Sequence, residues 1–309
     1  MLKPRSSFVD TDDIRLHYLE WDPDLARQCA SEEEISQFED NDDVPIVMLH
    51  GLGATADTWR LVASPLCRQH NVLAFDLRGH GQSDQPDNGY DLVTIAEDVI
   101  QGMARQGLGQ VALVAHGWGA RVALVLAARH PALVSHLILV DCPHVEPKHW
   151  PGMTRERFIR ESSIESYASP QAFIEAMQQE MSAFWSPEIA DIMLTYVREL
   201  PDGRVEERLQ PVHQRRIRES VWEDRALSYY SKLACPVLLV PAAAEPQPDE
   251  ELPERLENAD EFAAAKGYMA KQVARAIQRC SVLWMPDTAH DIQLQRPQML
   301  STAIGNFIK

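Results

Sequence analysis

The stretch Val114-Ala115-His116-Gly117-Trp118-Gly119-Ala120 decides how the rest of this chain is read. An apolar run, Val111 to His116, enters a tight turn of small residues and continues into Trp118 through Ala128, a segment whose only charge is Arg121. A helix that is apolar all round must be buried, so the turn belongs at the end of a central strand. In the pattern Gly-x-Ser-x-Gly, such a strained strand-to-helix turn lifts its central side chain clear of the sheet and exposes a nucleophile. Here the central residue is Gly117, and the turn presents no attacking atom.

Outward from the turn, short apolar runs recur at Pro45–His50, Val72–Leu77, Leu137–Asp141, Pro236–Pro241 and Val282–Pro286. They are apolar on both faces and separated by helix-length segments, which predicts a mostly parallel, doubly wound α/β sheet covered by helices. Asp91 opens one of those helices, with apolar positions at helical spacing up to Gly107. Residues 6–10 and 14–20 alternate as a hairpin pair with polar residues on one face. The strand rhythm stops between Cys142 and Lys232 and resumes at Cys235. Residues 143–231 therefore read as an inserted helical cap, with a turn at Pro201-Asp202-Gly203, and residues 1–142 and 232–309 as the core. Residues 22–44, rich in Asp and Glu, read as an acidic surface excursion from that core.

Composition narrows the function classes. The 309 residues are 45% hydrophobic and 24% charged, an ordinary globular balance. A net charge of −17 disfavours nucleic acid and anionic membrane surfaces as partners. The one basic cluster, Arg215-Arg216-Ile217-Arg218, reads as a solvated helix face. Five cysteines without metal-ligand or disulfide spacing fit a reducing compartment, and neither a leader-like apolar segment nor a membrane-length run is present. A cytoplasmic protein with no metal and no cofactor is expected. Its oligomeric state is not readable.

Three further landmarks occur in order: Pro45-Ile46-Val47-Met48-Leu49-His50-Gly51-Leu52-Gly53, Asp76-Leu77-Arg78-Gly79-His80-Gly81-Gln82-Ser83-Asp84, and Ala289-His290-Asp291. With the turn at Gly117 they make the chain resemble the α/β-hydrolase fold superfamily, in its helical-cap branch. The resemblance runs from about residue 14 to the end. It implies a strand followed by H-G-x-G, a D-x-R-G-x-G-x-S turn and a late histidine loop. Both the esterase and lactonase members and the epoxide-hydrolase and dehalogenase members are similar, and Trp118 after the turn does not separate them.

Roles follow from the chemistry of acyl transfer. Backbone N–H groups must point at a developing oxyanion, and Leu52 and Trp118 are the expected donors. His290, in a short loop after a strand, has the requirements of a general base. The orienting acid is expected to be Glu245, where the resemblance places it, with Asp141 at the end of the preceding strand as the alternative. His50, Arg78, His80 and Ser83 read as structural, and nothing near Cys142 marks it as a substitute nucleophile. Of the cap aromatics, Trp150, Phe184, Trp185 and Trp222 are the candidates to line a pocket for a small hydrophobic ligand or substrate.

Three readings of Gly117 stay open. The chain is a hydrolase of small hydrophobic esters or lactones with its serine or aspartate replaced, or a non-hydrolytic protein that binds a ligand or partner in the old pocket. In the third reading His290 activates a water in the volume freed at position 117, with no covalent intermediate.

Overall fold

The structure is a computed structural model that describes residues 2–29, 44–142, 146–160, 166–247, 251–253, 256 and 258–309. The apolar runs form β1 (Arg5–Asp10), β2 (Arg15–Trp21), β3 (Ile46–Leu49), β4 (Val72–Phe75), β5 (Val111–His116) and β6 (Val134–Val140). Within the insertion lie β7 (Ser166–Tyr167), β8 (Val197–Glu199) and β9 (Val205–Glu207), followed by β10 (Val237–Val240) and β11 (Cys280–Val282). The main sheet has the order β1-β2-β4-β3-β5-β6-β10-β11. It is parallel from β4 to β11, and the β1–β2 hairpin joins β4 antiparallel.

Each central strand divides its side chains between two cores, because successive residues point to opposite faces. Val47, Leu49, Leu113 and Ala115 belong to one core with the helices Leu92–Arg105, Gly117–Arg129 and Ala259–Ala274. Ile46, Met48, Ala112 and Val114 belong to the other, with Arg60–Leu66 and Pro297–Phe307. The helix after β5 is buried along nearly its whole length, as its composition predicts. Fully enclosed side chains such as Val122, Leu126 and Val125 each stabilise the fold by about 1.5–3 kcal/mol. Asp91 caps Leu92–Arg105 by accepting from the N–H groups of Val93 and Thr94.

Three expectations need correction. The polar face foreseen for the hairpin is absent from β2, whose residues after Arg15 are buried. This strand lies between β1 and β4, and its buried His17 is matched by the Asp76 carboxylate at 2.7 Å. The insertion is not wholly helical, because β7, β9 and β8 form a small antiparallel sheet. The expected turn at Pro201-Asp202-Gly203 is present and closes the β8–β9 hairpin. The last core strand is Cys280–Val282, and the expected run to Pro286 continues beside β10 through isolated bonds, Leu283 N–H to Leu239 and Met285 N–H to Pro241. In the acidic segment Pro23–Cys29 is a short helix, while residues 30–43 lie outside the described residues.

Candidate active site

The chain leaves β3 toward β4 on one side, while β5 lies on the other. Their carboxyl ends therefore flank a crevice, the usual ligand position in an open α/β sheet. The loop His50–Gly53 follows β3, and Gly117 follows β5 directly. Gly117 has φ +53°, a left-handed conformation that costs a residue with a side chain about 1–3 kcal/mol. Two residues on, the elbow helix passes so close to the first loop that a Cβ at Gly119 would lie 2.2 Å from the His50 carbonyl oxygen. Sequence alone suggests a Gly-rich turn; the contact explains why the second glycine is needed.

A Cβ built on Gly117 would stand 3.2 Å from His290 Nε2. The other ring nitrogen, Nδ1, is 2.7 Å from Asp141 Oδ2. Since an ionised carboxylate only accepts, Nδ1 carries the proton and the Nε2 lone pair of the neutral ring is directed at position 117. Desolvation against the cavity wall favours the uncharged ring, but the hydrogen bond and charge of Asp141 outweigh it and raise the His290 pKa above its ordinary value. Asp141 is buried at the end of β6 with φ +36°. Its Oδ1 also accepts from Ala242 N–H at 2.9 Å, which ties the ends of β6 and β10 together. Burial would raise its pKa, yet the His290 bond and the Lys266 ammonium, 2.9 Å away, hold the carboxyl well below the usual range.

The favoured acid, Glu245, is not at this site. It is exposed in the turn after β10, whereas the alternative, Asp141, meets the histidine. The ends of β6 and β10 are adjacent in the sheet, so a position on either could supply the acid. Only the fold shows which one turns inward.

Leu52 and Trp118 both line the cavity in front of Gly117. Trp118 stands in the first turn of the helix, where N–H groups lack intrahelical acceptors. The remaining polar residues brace these loops. His50 donates from Nδ1 to the Gly51 carbonyl at 2.7 Å and accepts at Nε2 from Leu77 N–H at 3.0 Å. Arg78 is clasped by Asp98 and Asp13, Ser83 donates to the Asp76 carbonyl, and His80 stacks on Trp118. Cys142 lines the cavity, but burial pushes its thiol up to about 12, so it stays protonated.

The cavity encloses about 560 Å³. Trp150 lines it as expected, together with Met153, Phe158, Ile217 and Val221. The other three aromatic candidates do not. Phe184 and Trp185 pack on the insertion's own core around Phe173 and Ile192, and Trp222 lies behind Phe158 with ring centroids 5.9 Å apart. The basic cluster also needs revision: Arg215 pairs outward with Glu219, but Ile217 is buried and Arg218 lines the cavity.

Sequence reasoning missed Lys266 and Phe262, which reach the cavity from Ala259–Ala274. No motif marks them; the helix's position between β10 and β11 was the available signal. His116 was missed as well, although it precedes the turn. Its Nε2 donates to the His290 carbonyl at 3.0 Å, and the ring centroids lie 4.4 Å apart. Burial is the largest cause of its pKa falling to about 4, so the ring is neutral near pH 7 and positions the His290 loop. Among the described residues no group of His, Cys, Asp or Glu could hold a metal ion, and no helix is long and apolar enough to cross a membrane.

Comparison with known proteins agrees with this architecture. A family model described as alpha/beta hydrolase fold matches residues 44–162. Soluble epoxide hydrolase of Corynebacterium sp. (strain C12) is 38% identical over 97 residues, 31% of this chain and 34% of that protein. Epoxide hydrolase 2 of Caenorhabditis elegans is 30% identical over 139 residues, 44% of this chain and 34% of that protein. The chain thus spans about a third of the length of these curated relatives. The crystal structure of E-2-(acetamidomethylene)succinate hydrolase superposes with a TM-score of 0.74 at 20% identity, covering 99% of both chains. A thioesterase domain from the curacin biosynthetic pathway gives 0.73 at 14% identity, covering 97% of this chain and 99% of its own. The shared architecture shows that the chain has the alpha/beta hydrolase fold, which the family model matches over residues 44–162.

Proposed function

We propose that the protein hydrolyses a small hydrophobic ester or lactone, with His290 acting on water rather than on a side chain at position 117. The observation that carries this reading is the 3.2 Å between His290 Nε2 and the point where a Cβ at 117 would lie. A water in that volume is within reach of the base. His290 takes one proton from it as the oxygen attacks the substrate carbonyl. The N–H groups of Leu52 and Trp118 bind the resulting oxyanion. The tetrahedral intermediate then collapses to acid and alcohol, and the leaving oxygen receives the proton from His290. Asp141 stabilises the imidazolium in between. In a protease stripped of its nucleophile, oxyanion donors and substrate binding alone leave an acceleration of about 10³–10⁴ over water, and a base placed to activate water adds to that.

The test is turnover of p-nitrophenyl butyrate by the wild-type protein, His290→Ala and Gly117→Ser. Slow turnover that His290→Ala removes is expected, with Gly117→Ser faster and showing an acyl-enzyme burst. Wild-type turnover that survives loss of His290 overturns the water mechanism. A His290-independent background with activity only in Gly117→Ser identifies a nucleophile-replaced hydrolase instead. Silence in both favours a binding protein. The epoxide hydrolases among the relatives motivate a parallel arm, Gly117→Asp assayed with styrene oxide.

A further inference from the structure

We infer that the cavity selects ligands in which a carboxylate is joined to an apolar tail. This rests on the hydrolytic reading for placing the reacting carbonyl beside His290, and it adds the substrate's charge. The chain as a whole repels anions, with a net charge of −17, so cationic side chains gathered in one cavity need a local reason. Lys266, Arg121, Arg157 and Arg218 all line it. Two of them face carboxylates: Lys266 holds Asp141, and Arg121 lies 3.2 Å from Asp224.

Arg157 and Arg218 are different. Arg157 donates to the Gly152 carbonyl at 3.4 Å and Arg218 to the Arg160 carbonyl at 3.2 Å, and neither pairs with a carboxylate among the described residues. Arg218 is also half-buried, and burial pushes its guanidinium pKa down. Removing a guanidinium from water with one carbonyl as partner is costly, and an incoming anion offsets that cost. The two arginines come from Arg155–Ile159 and Pro211–Glu223, helices that pack on each other. A planar carboxylate suits their fork geometry. An adjoining chamber of about 230 Å³, walled by Pro147, Trp150, Met153, Phe158, Val221 and Phe262 and by Arg121, whose charge is met by Asp224, receives the tail.

The experiment compares calorimetric titration of the full chain with octanoate and with octanamide, its neutral isostere, at about neutral pH, where octanoate is ionised and both arginines are charged. Octanoate is expected to bind at least about tenfold more tightly. In Arg218→Gln the preference should shrink to within about threefold while octanamide affinity holds, with Arg157→Gln, at a more exposed position, giving a smaller loss. Circular dichroism checks that each variant is folded. Equal affinities in the wild type, a preference that survives the double arginine variant, or no binding of either ligand overturns the inference.

Repeating the titration with His290→Ala separates this inference from the hydrolytic one. A preference retained there, with no esterase activity in the wild type, removes only the hydrolytic reading. Normal turnover of neutral esters with no carboxylate preference removes only this inference.

Discussion

Asp141 divides one carboxylate between two N–H donors. His290 Nδ1 and Lys266 Nζ approach the same oxygen, at 2.7 and 2.9 Å. The two partners act on the His290 pKa with opposite sign: Asp141 raises it and Lys266 lowers it. Asp141→Asn should therefore move the His290 titration to lower pH, and Lys266→Met should move it higher. Proton NMR of the His290 ring in both variants measures this without requiring turnover. Shifts of the same sign, or none, would show that the pair does not tune the ring. If hydrolysis needs neutral His290, the wild-type rate should rise with pH through a midpoint above the ordinary histidine value. Asp141→Asn should lower that midpoint and cut the rate by about 10²–10⁴, while Glu245→Gln should change neither. His290 and the vacant position were legible because each sits in its own motif. The acid was not: Glu245 and Asp141 follow neighbouring parallel strands, and the deciding feature is the left-handed backbone of Asp141.

At the scale of elements, the elbow helix Gly117–Arg129 and the loop after β3 form one rigid piece. A methyl at Gly119 would meet main chain, with the His50 oxygen at 2.2 Å and the Leu49 oxygen at 3.1 Å, so no side-chain rotation could relieve it. Gly119→Ala should destabilise the fold by about 3 kcal/mol through forced separation of the two elements. Gly109→Ala is the control, because a methyl there meets nothing within 4 Å. Urea denaturation midpoints compare them; equal midpoints would remove the argument for close packing. The same helix shows what patterning conveys, since its apolar circumference announces its burial. Strands of two or three residues, such as Ser166–Tyr167 and Val205–Glu207, are too short to show alternation, which is why the insertion read as purely helical. Lys266 and Phe262 stayed hidden for another reason: helical periodicity gives the spacing of a face but not the cavity it overlooks.

Across the whole molecule, desolvated histidines set the response to acid. His50, His80, His116, His136 and His213 all have lowered pKa values, with desolvation the largest cause in each. Burial brings His80 to about 3 and His116 to about 4. Unfolded histidine titrates near 6.5, so between that pH and the folded value the unfolded chain binds more protons and stability falls as pH falls. From pH 7 to pH 5, His80 and His116 should each remove on the order of 2 kcal/mol. His290 acts in the opposite sense: its raised pKa adds stability below the unfolded value and loses it as pH rises through the folded one. Burial also raises the Asp57, Asp98 and Asp224 carboxyls, which oppose the loss in the same sense as His290, but the two large shifts at His80 and His116 outweigh these groups. The lowered carboxylates, Asp76 and Asp141, lose their contribution below this window, as pH falls from the ordinary carboxylate value toward their folded values. Urea midpoints at pH 7 and pH 5, at constant ionic strength, should therefore show a clear loss at the lower pH. The loss should shrink in His116→Asn, which removes one of the buried rings that must be protonated on unfolding. A flat profile across the two pH values would mean that water or a compensating charge reaches these rings.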